Sequence, residues 1–405
     1  MSDLASPSSV EKINKEANKF QLDRVLTIIS AHFINDIYSA FLAPLLPSLI
    51  DKLSLTYTQA GSLSAVMQIP SLLNPIIGYL DDRINLRMFV ILAPAITATT
   101  MTCLGIAPSY MSLLLLLFIT GISIAAFHAP SPAMIARASA YQVGKGMSLY
   151  MAAGEFGRTI GPLVASWGVL TFTLEGMIPL AIPGWIASLV LFIRFSAIKV
   201  HMEKKTGLSI VLPAALRLFL PMSGIVFLRS FLITGMGLYL PTLLAGEGAS
   251  LWNASIALAI YQFAGVIGAI LGGTMSDRLG RKPVLFVVSL FAPIMVLIYL
   301  QSNGWLTILV LILAGLLSLS AQPIMLAIVQ DQLPNNRSVG NGIFMAINFA
   351  CLSLAAVIIG MIGDRFGLHQ AFMWTAVMGI LAAPVVWILP KQPTSSQISS
   401  PSITG

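Results

Sequence analysis

Residues 272–283, GGTMSDRLGRKP, form a short charged loop between two long apolar runs. An earlier stretch, GYLDDRINLR at residues 78–87, has the same frame. Aligned on Gly273 and Gly78, both carry Gly, three residues, Asp, Arg, one residue, then Gly280 or Asn85. The offset is 195 residues, nearly half of the 405-residue chain. Gly144-Lys-Gly146 returns as Gly340-Asn-Gly342 at almost the same offset. One charged loop at equivalent places in two apolar halves indicates a duplicated membrane domain.

Composition agrees. Hydrophobic residues make up 57% of the chain and charged residues 9%, whereas a soluble domain carries about 25% charge. A membrane helix needs about 20 mostly apolar residues to cross ~30 Å of hydrocarbon, and runs of that length recur throughout. The two cysteines, Cys103 and Cys351, lie inside such runs and read as packing residues.

Residues 1–22 are polar, without the short apolar core of a signal peptide, and read as a cytosolic tail. Six spans follow, near 25–50, 58–80, 87–107, 109–136, 145–172 and 176–195. After a polar linker at 197–212, six more lie near 216–244, 252–275, 283–302, 304–329, 339–363 and 368–389. The expected organisation is thus all-α: a six-helix bundle at 23–196, a second at 213–390, and a tail at 391–405. With the amino terminus inside, tails and even-numbered loops hold 18 of the 22 Lys and Arg. The outer loops hold Lys52 and Arg365, and Arg158 and Arg229 fall within spans. That split puts both termini in the cytosol by the positive-inside rule. It also accounts for the net charge of +7 without a nucleic-acid partner.

Twelve spans in two halves, with this loop after the second and eighth, resemble the major facilitator superfamily. The second copy (Gly273, Asp277, Arg278, Gly280, Arg281, Lys282) matches the superfamily motif closely, and the first (Gly78, Asp82, Arg83) departs by carrying Asn85 for Gly. The resemblance implies that these loops brace the inward-closed state through Asp and Arg contacts to neighbouring helix ends. An Asp beside a helix amino terminus is favoured by the helix dipole.

A narrower resemblance rests on HFINDIYSAFLAPLLPSL (32–49), FHAPSPAMIARAS (127–139), GEFGRTIGPL (154–163) and QDQLPNNRSVGNG (330–342). These are similar to the fosmidomycin-resistance family of bacterial efflux proteins, which implies export of a small phosphonate or related compound against a proton flow. The family has Asn and a small residue where this chain has Glu155 and Arg158, and its His-Pro is interrupted here by Ala129. Gly157, Gly161 and Pro162 resemble the core of the superfamily's fifth-span antiporter motif. Leu117 stands where the fourth-span motif has arginine.

Charges inside a bilayer are costly and usually face a cavity or a partner. Asp36 lies about 18 Å along the first helix from Arg24, near mid-membrane, and shares a helix face with His32. The two form either a proton carrier with a tuning imidazole or a structural pair. Glu155 and Arg158, three residues apart, either neutralise one another or serve a substrate anion and a second proton. Guanidinium suits carboxylate or phosphonate because it donates two parallel hydrogen bonds. Arg229 has no acid on its own turn. By the repeat it lies at the depth of Asp36, so it is either that residue's partner across the cavity or a substrate contact. His128, before Pro130 and Pro132, is either satisfied by backbone or a ligand.

No Zn-protease, nucleophile-elbow or phosphate-loop signature is present, so no enzyme and no cofactor are expected. The energy source is then an ion gradient. Four His and two Cys scattered along the chain form no metal-ligand cluster in sequence. The expectation is a monomeric secondary transporter of the bacterial inner membrane, exchanging a small organic anion or drug for protons. Its rivals are a symporter importing such an anion and a receptor or scaffold that keeps the fold.

Overall fold

The computed structural model describes residues 20–74, 77, 87–195, 212–333 and 337–390. Gly78, Asp82 and Arg83, the linker and both expected tails beyond these bounds lie outside the described residues. Among the described residues there is no strand.

The helices are α1 (Leu22–Ser39), α2 (Leu42–Leu53), α3 (Tyr57–Gln68), α4 (Arg87–Thr102), α5 (Tyr110–His128), α6 (Ser131–Ala138), α7 (Val143–Phe172) and α8 (Ile182–Phe195) in the first half. The second half has α9 (Leu212–Thr234), α10 (Leu240–Gly246), α11 (Leu251–Leu279), α12 (Arg281–Tyr299), α13 (Trp305–Gln332), α14 (Arg337–Phe366) and α15 (Leu368–Ile380). Ten segments among the described residues are long and apolar enough to span a membrane. The other two expected spans are α3, which passes through a 3₁₀ turn at Ile69–Leu73 towards undescribed residues, and α7, whose 30 residues carry Lys145, Glu155 and Arg158. Several expected spans are interrupted, the twelfth among them by a turn at Leu381 before Pro384. The first breaks at Ala40, shortly before Pro44, the fourth at Ala129 before Pro130, and the seventh carries a π-turn at Gly235–Tyr239 before Pro241. Proline removes a ladder donor and crowds the preceding turn.

Local chemistry sets the helix starts. Thr56 and Gln59 make a capping box for α3, as do Ser109 and Ser112 for α5. The chain reverses between α11 and α12 at Gly280 (φ 94°) and between α14 and α15 at Gly367 (φ 83°), conformations that a side chain disfavours.

Buried apolar side chains fall into three clusters. One lies within the first half around Val25, Ile91 and Ile135, and one within the second around Met222, Leu285 and Ile328. The third, around Leu45, Leu63, Tyr239 and Phe372, draws on both halves at the end opposite the Gly272–Pro283 loop. Large apolar side chains such as Leu220, Ile270 and Trp305 stand exposed on the outside. Lipid covers such a face as well as a protein core would, and the chain is a multi-pass membrane protein.

Candidate functional site

In the first half the site is assembled where α1 and α7 touch. A Cβ on Gly157 would come within 2.5 Å of the Phe33 carbonyl oxygen, and one on Gly161 within 2.5 Å of that of Ile37. These glycines let two backbones meet, as small residues do between membrane helices. Gly154, one turn earlier, leaves room for the His32 ring. Pro162 lies inside the same helix.

That approach brings Arg158 to Asp36. Asp36 is fully buried at 0% exposure. Its Oδ2 accepts from Arg158 Nη1 at 3.1 Å and lies 3.4 Å from His32 Nε2, while its Oδ1 is 3.2 Å from His128 Nε2. Arg158 also pairs with Glu155 through Nη2. His32 and His128 face each other, Nε2 to Nε2, at 3.3 Å. Each ring donates its Nδ1–H to a main-chain carbonyl, His32 to Tyr150 and His128 to Ile124, both at 2.9 Å. His32 is further stacked on Tyr150, with ring centroids 3.9 Å apart.

Three of the expected groups gain partners here. Asp36 does not have His32 alone for company; it is clamped by groups from α5 and α7 as well. Glu155 and Arg158 are not an isolated pair, because the guanidinium joins Glu155 to Asp36. His128, a candidate in the sequence, is not satisfied by backbone alone: it meets Asp36 from another helix, 92 residues away in sequence.

Arg229, on α9, does not reach Asp36. It is 3% exposed, and its Nη1 donates to Ser289 Oγ (3.1 Å) and its Nη2 to the Ser318 carbonyl (2.6 Å). Among the described residues no carboxylate pairs with it. It lines a cavity with Ser230, Gln322 and Asn348, and the buried Ser318 Oγ beside it has no hydrogen-bond partner. Of the two readings of Arg229, the pairing with Asp36 is not made, and the two residues have separate sets of partners.

At the charged loop Arg281 pairs with Asp277 and reaches Asp331 Oδ2 at 3.3 Å and Ser276 Oγ at 2.8 Å. Lys282 donates to the Leu389 carbonyl, and Arg278 is exposed. Asp277 sits in the last turn of α11, not beside a helix amino terminus as expected. Gly273 has open space where a Cβ would go, and Gly272 is the glycine packed against Ser320.

A third copy of the frame lies at Gly360, three residues, Asp364, Arg365, one residue, Gly367. Its spacing was the available signal. Asp364 accepts from Tyr57 N (2.6 Å), Thr58 N (3.0 Å) and Thr58 Oγ1 (2.5 Å), capping α3 from the other half. The favourable meeting of Asp with a helix amino terminus occurs here. Tyr239 Oη lies beside it, donating between the carbonyls of Ala356 (2.8 Å) and Tyr57 (3.0 Å).

Comparison with known proteins agrees with this architecture. The Major Facilitator Superfamily model matches residues 28–250 and again 222–403. The fosmidomycin resistance protein of Escherichia coli (strain K12) is 25% identical over 373 residues, covering 88% of this chain and 90% of that one. The MFS-type transporter YfnC of Bacillus subtilis (strain 168) is 26% identical, covering 88% and 91%. Among solved structures, a bacterial homolog of the human lysosomal transporter Spinster superposes with a TM-score of 0.76 at 16% identity, covering 91% of this chain and 96% of that one. The D-xylose-proton symporter gives 0.72 at 17% identity, covering 92% and 98%. At such identities the structural likeness shows the fold alone. The chain belongs to the major facilitator superfamily, a non-enzymatic transport protein that resembles the fosmidomycin-resistance family.

Proposed function

We propose that this secondary transporter exports a small organic anion in exchange for protons, with the Asp36 cluster as the proton site and Arg229 as the anion contact. The observation that carries the reading is the convergence at Asp36. Both imidazoles spend Nδ1–H on a carbonyl, so two neutral rings would aim bare Nε2 lone pairs at each other and at a carboxylate. One added proton, turning either ring into an imidazolium, supplies the missing donor. A cluster that needs a proton in one arrangement and loses the need when its helices part is suited to coupling.

Arg229 supports the other half of the reading. A buried guanidinium with only hydroxyl and carbonyl acceptors keeps its charge uncompensated, and an anion in the adjoining cavity would complete it. Glu155 and Arg158 are part-exposed and supply further polar groups in the first half. The direction follows the E. coli relative, whose name is a resistance protein. The proposed setting is the bacterial inner membrane, as a monomer with cytosolic termini and a linker at 197–212 that tethers two bundles.

Inverted vesicles with an acidic lumen test direction and coupling together. A transported member of a panel of small carboxylates and phosphonates should enter the lumen and dissipate the pH gradient. Entry that leaves the gradient untouched rules out proton coupling, and exit driven by the gradient reverses the direction.

A further inference from the structure

We propose that His32, His128 and Asp36 form a binding site for a divalent transition-metal ion of the zinc or cobalt type. The sequence offered no such set, because the three come from α1 and α5 and meet only in the fold. Their donor atoms all lie within 4.8 Å of one another; the two Nε2 atoms are 3.3 Å apart, His128 Nε2 is 3.2 Å from Asp36 Oδ1, and His32 Nε2 is 3.4 Å from the other oxygen, Oδ2. A tetrahedral ion bound at about 2.0–2.1 Å sets its ligands about 3.3–3.4 Å apart. The first two approaches are already at that spacing, and a turn of the carboxylate that brings Oδ1 nearer His32 would complete the set.

The surroundings are those of a ligand set. Metal-binding imidazoles donate their other ring nitrogen to a carbonyl or carboxylate, which fixes tautomer and orientation. Both rings do so, to Tyr150 and Ile124. A ligating carboxylate has its second oxygen hydrogen-bonded. Arg158 Nη1 takes that role at Asp36 Oδ2, leaving Oδ1 towards His128. Arg158 is itself balanced by Glu155. With neutral rings the five side chains carry one net negative charge, which favours an incoming cation. His128 keeps 27% of its side chain exposed, giving an ion and a water or chloride as fourth ligand a way in. Two nitrogens and one oxygen suit Zn²⁺ and Co²⁺ better than Mg²⁺ or Ca²⁺, which take oxygen.

The site rests on ligand geometry and does not need the coupling proposal, although it uses the same residues. An ion held there would occupy the place of the shared proton, so micromolar Zn²⁺ should block transport.

Cobalt is the probe. Purified full-length protein in detergent, free of any affinity tag and stripped with EDTA, is titrated with Co²⁺ while visible absorption is followed. One equivalent should bring up the intense bands of four-coordinate Co²⁺, and Zn²⁺ should bleach them. His128→Gln should weaken binding at least tenfold with an unchanged thermal transition of the apo protein. His32→Asn should do the same, and either variant that retains its transition suffices. No bands at stoichiometric Co²⁺, or bands unchanged in a folded His128→Gln protein, overturn the site. Gradient-driven transport in EDTA is measured separately: its persistence where cobalt fails to bind removes the metal and leaves the coupling reading intact.

Discussion

Asp36 and Arg229 occupy nearly equivalent positions in the two repeats, since 195 residues before Arg229 is position 34. Their surroundings are opposite. Asp36 meets His32, His128 and Arg158 within 3.4 Å. Arg229 meets a serine hydroxyl, a carbonyl and a cavity. The carboxylate has all its partners within the protein, from three helices, and one added proton on an imidazole completes the set. An arginine whose acceptors are neutral is incomplete, and a buried cation without an anion is the costly state. On the proposed function the two halves divide the work: the Asp36 side takes up a proton and the Arg229 side takes an anion from outside.

Breaking the open side should have the largest effect. Arg229→Gln removes two charge-assisted hydrogen bonds to a bound anion, together worth about 3 kcal/mol, or roughly a hundredfold in affinity. Calorimetric titration of a transported carboxylate or phosphonate should show that loss, with Arg229→Lys intermediate because it keeps charge and loses the fork. Unaltered affinity in Arg229→Gln would remove the asymmetry.

Next is the contact that builds the closed side. Gly157→Leu sets a side chain against the Phe33 carbonyl and should cost about 1–3 kcal/mol, seen as a lower thermal transition in detergent. It should also separate Arg158 from Asp36. A variant of normal stability would mean that α1 and α7 do not need this approach.

A double change sharpens the comparison further. Arg158→Gln leaves both acids without their shared guanidinium and, discounted for its exposure, should destabilise by about 1–2 kcal/mol. Adding Glu155→Gln should restore only part of this, because Asp36 has also lost a partner. Full recovery of stability and transport would show that Arg158 served Glu155 alone and would exclude it from the substrate path.

Asp364→Asn should have the smallest effect on stability, about 1 kcal/mol from the α3 cap. Asn keeps an acceptor, so the halves should still assemble while their contact at this end weakens. Faster hydrogen exchange at Tyr57 and Thr58 is the expected signature. Asp277→Asn, whose partners are within its own half, should leave those two amides unchanged.

The sequence made legible what depends on local pattern. The span positions, the duplicated loop and the His32–Asp36 face follow from helix period and composition. The glycines on α7 pointed to packing, though not to which helix they touch. What escaped depends on tertiary approach. For Arg229 the sequence leaves two readings, partner of Asp36 or substrate contact, because the repeat gives depth and not azimuth. For His128 it leaves backbone or a ligand, because the break at Ala129 hides which way the end of α5 faces. Asp277 was placed at the wrong kind of helix end, since a charged loop's frame does not say which helix it caps. Asp364 stands in the same frame, and only the fold shows that it caps α3 of the other half.

The division between the two sites is tested most directly by Asp36→Asn in proteoliposomes carrying an imposed pH gradient. Asparagine imitates the protonated carboxyl and cannot release it. Substrate at equal concentration on both sides should still exchange, because the Arg229 side is intact, and accumulation against its gradient should be abolished. Uphill accumulation at the normal rate in a well-folded Asp36→Asn protein would contradict the account and move the proton site to Glu155.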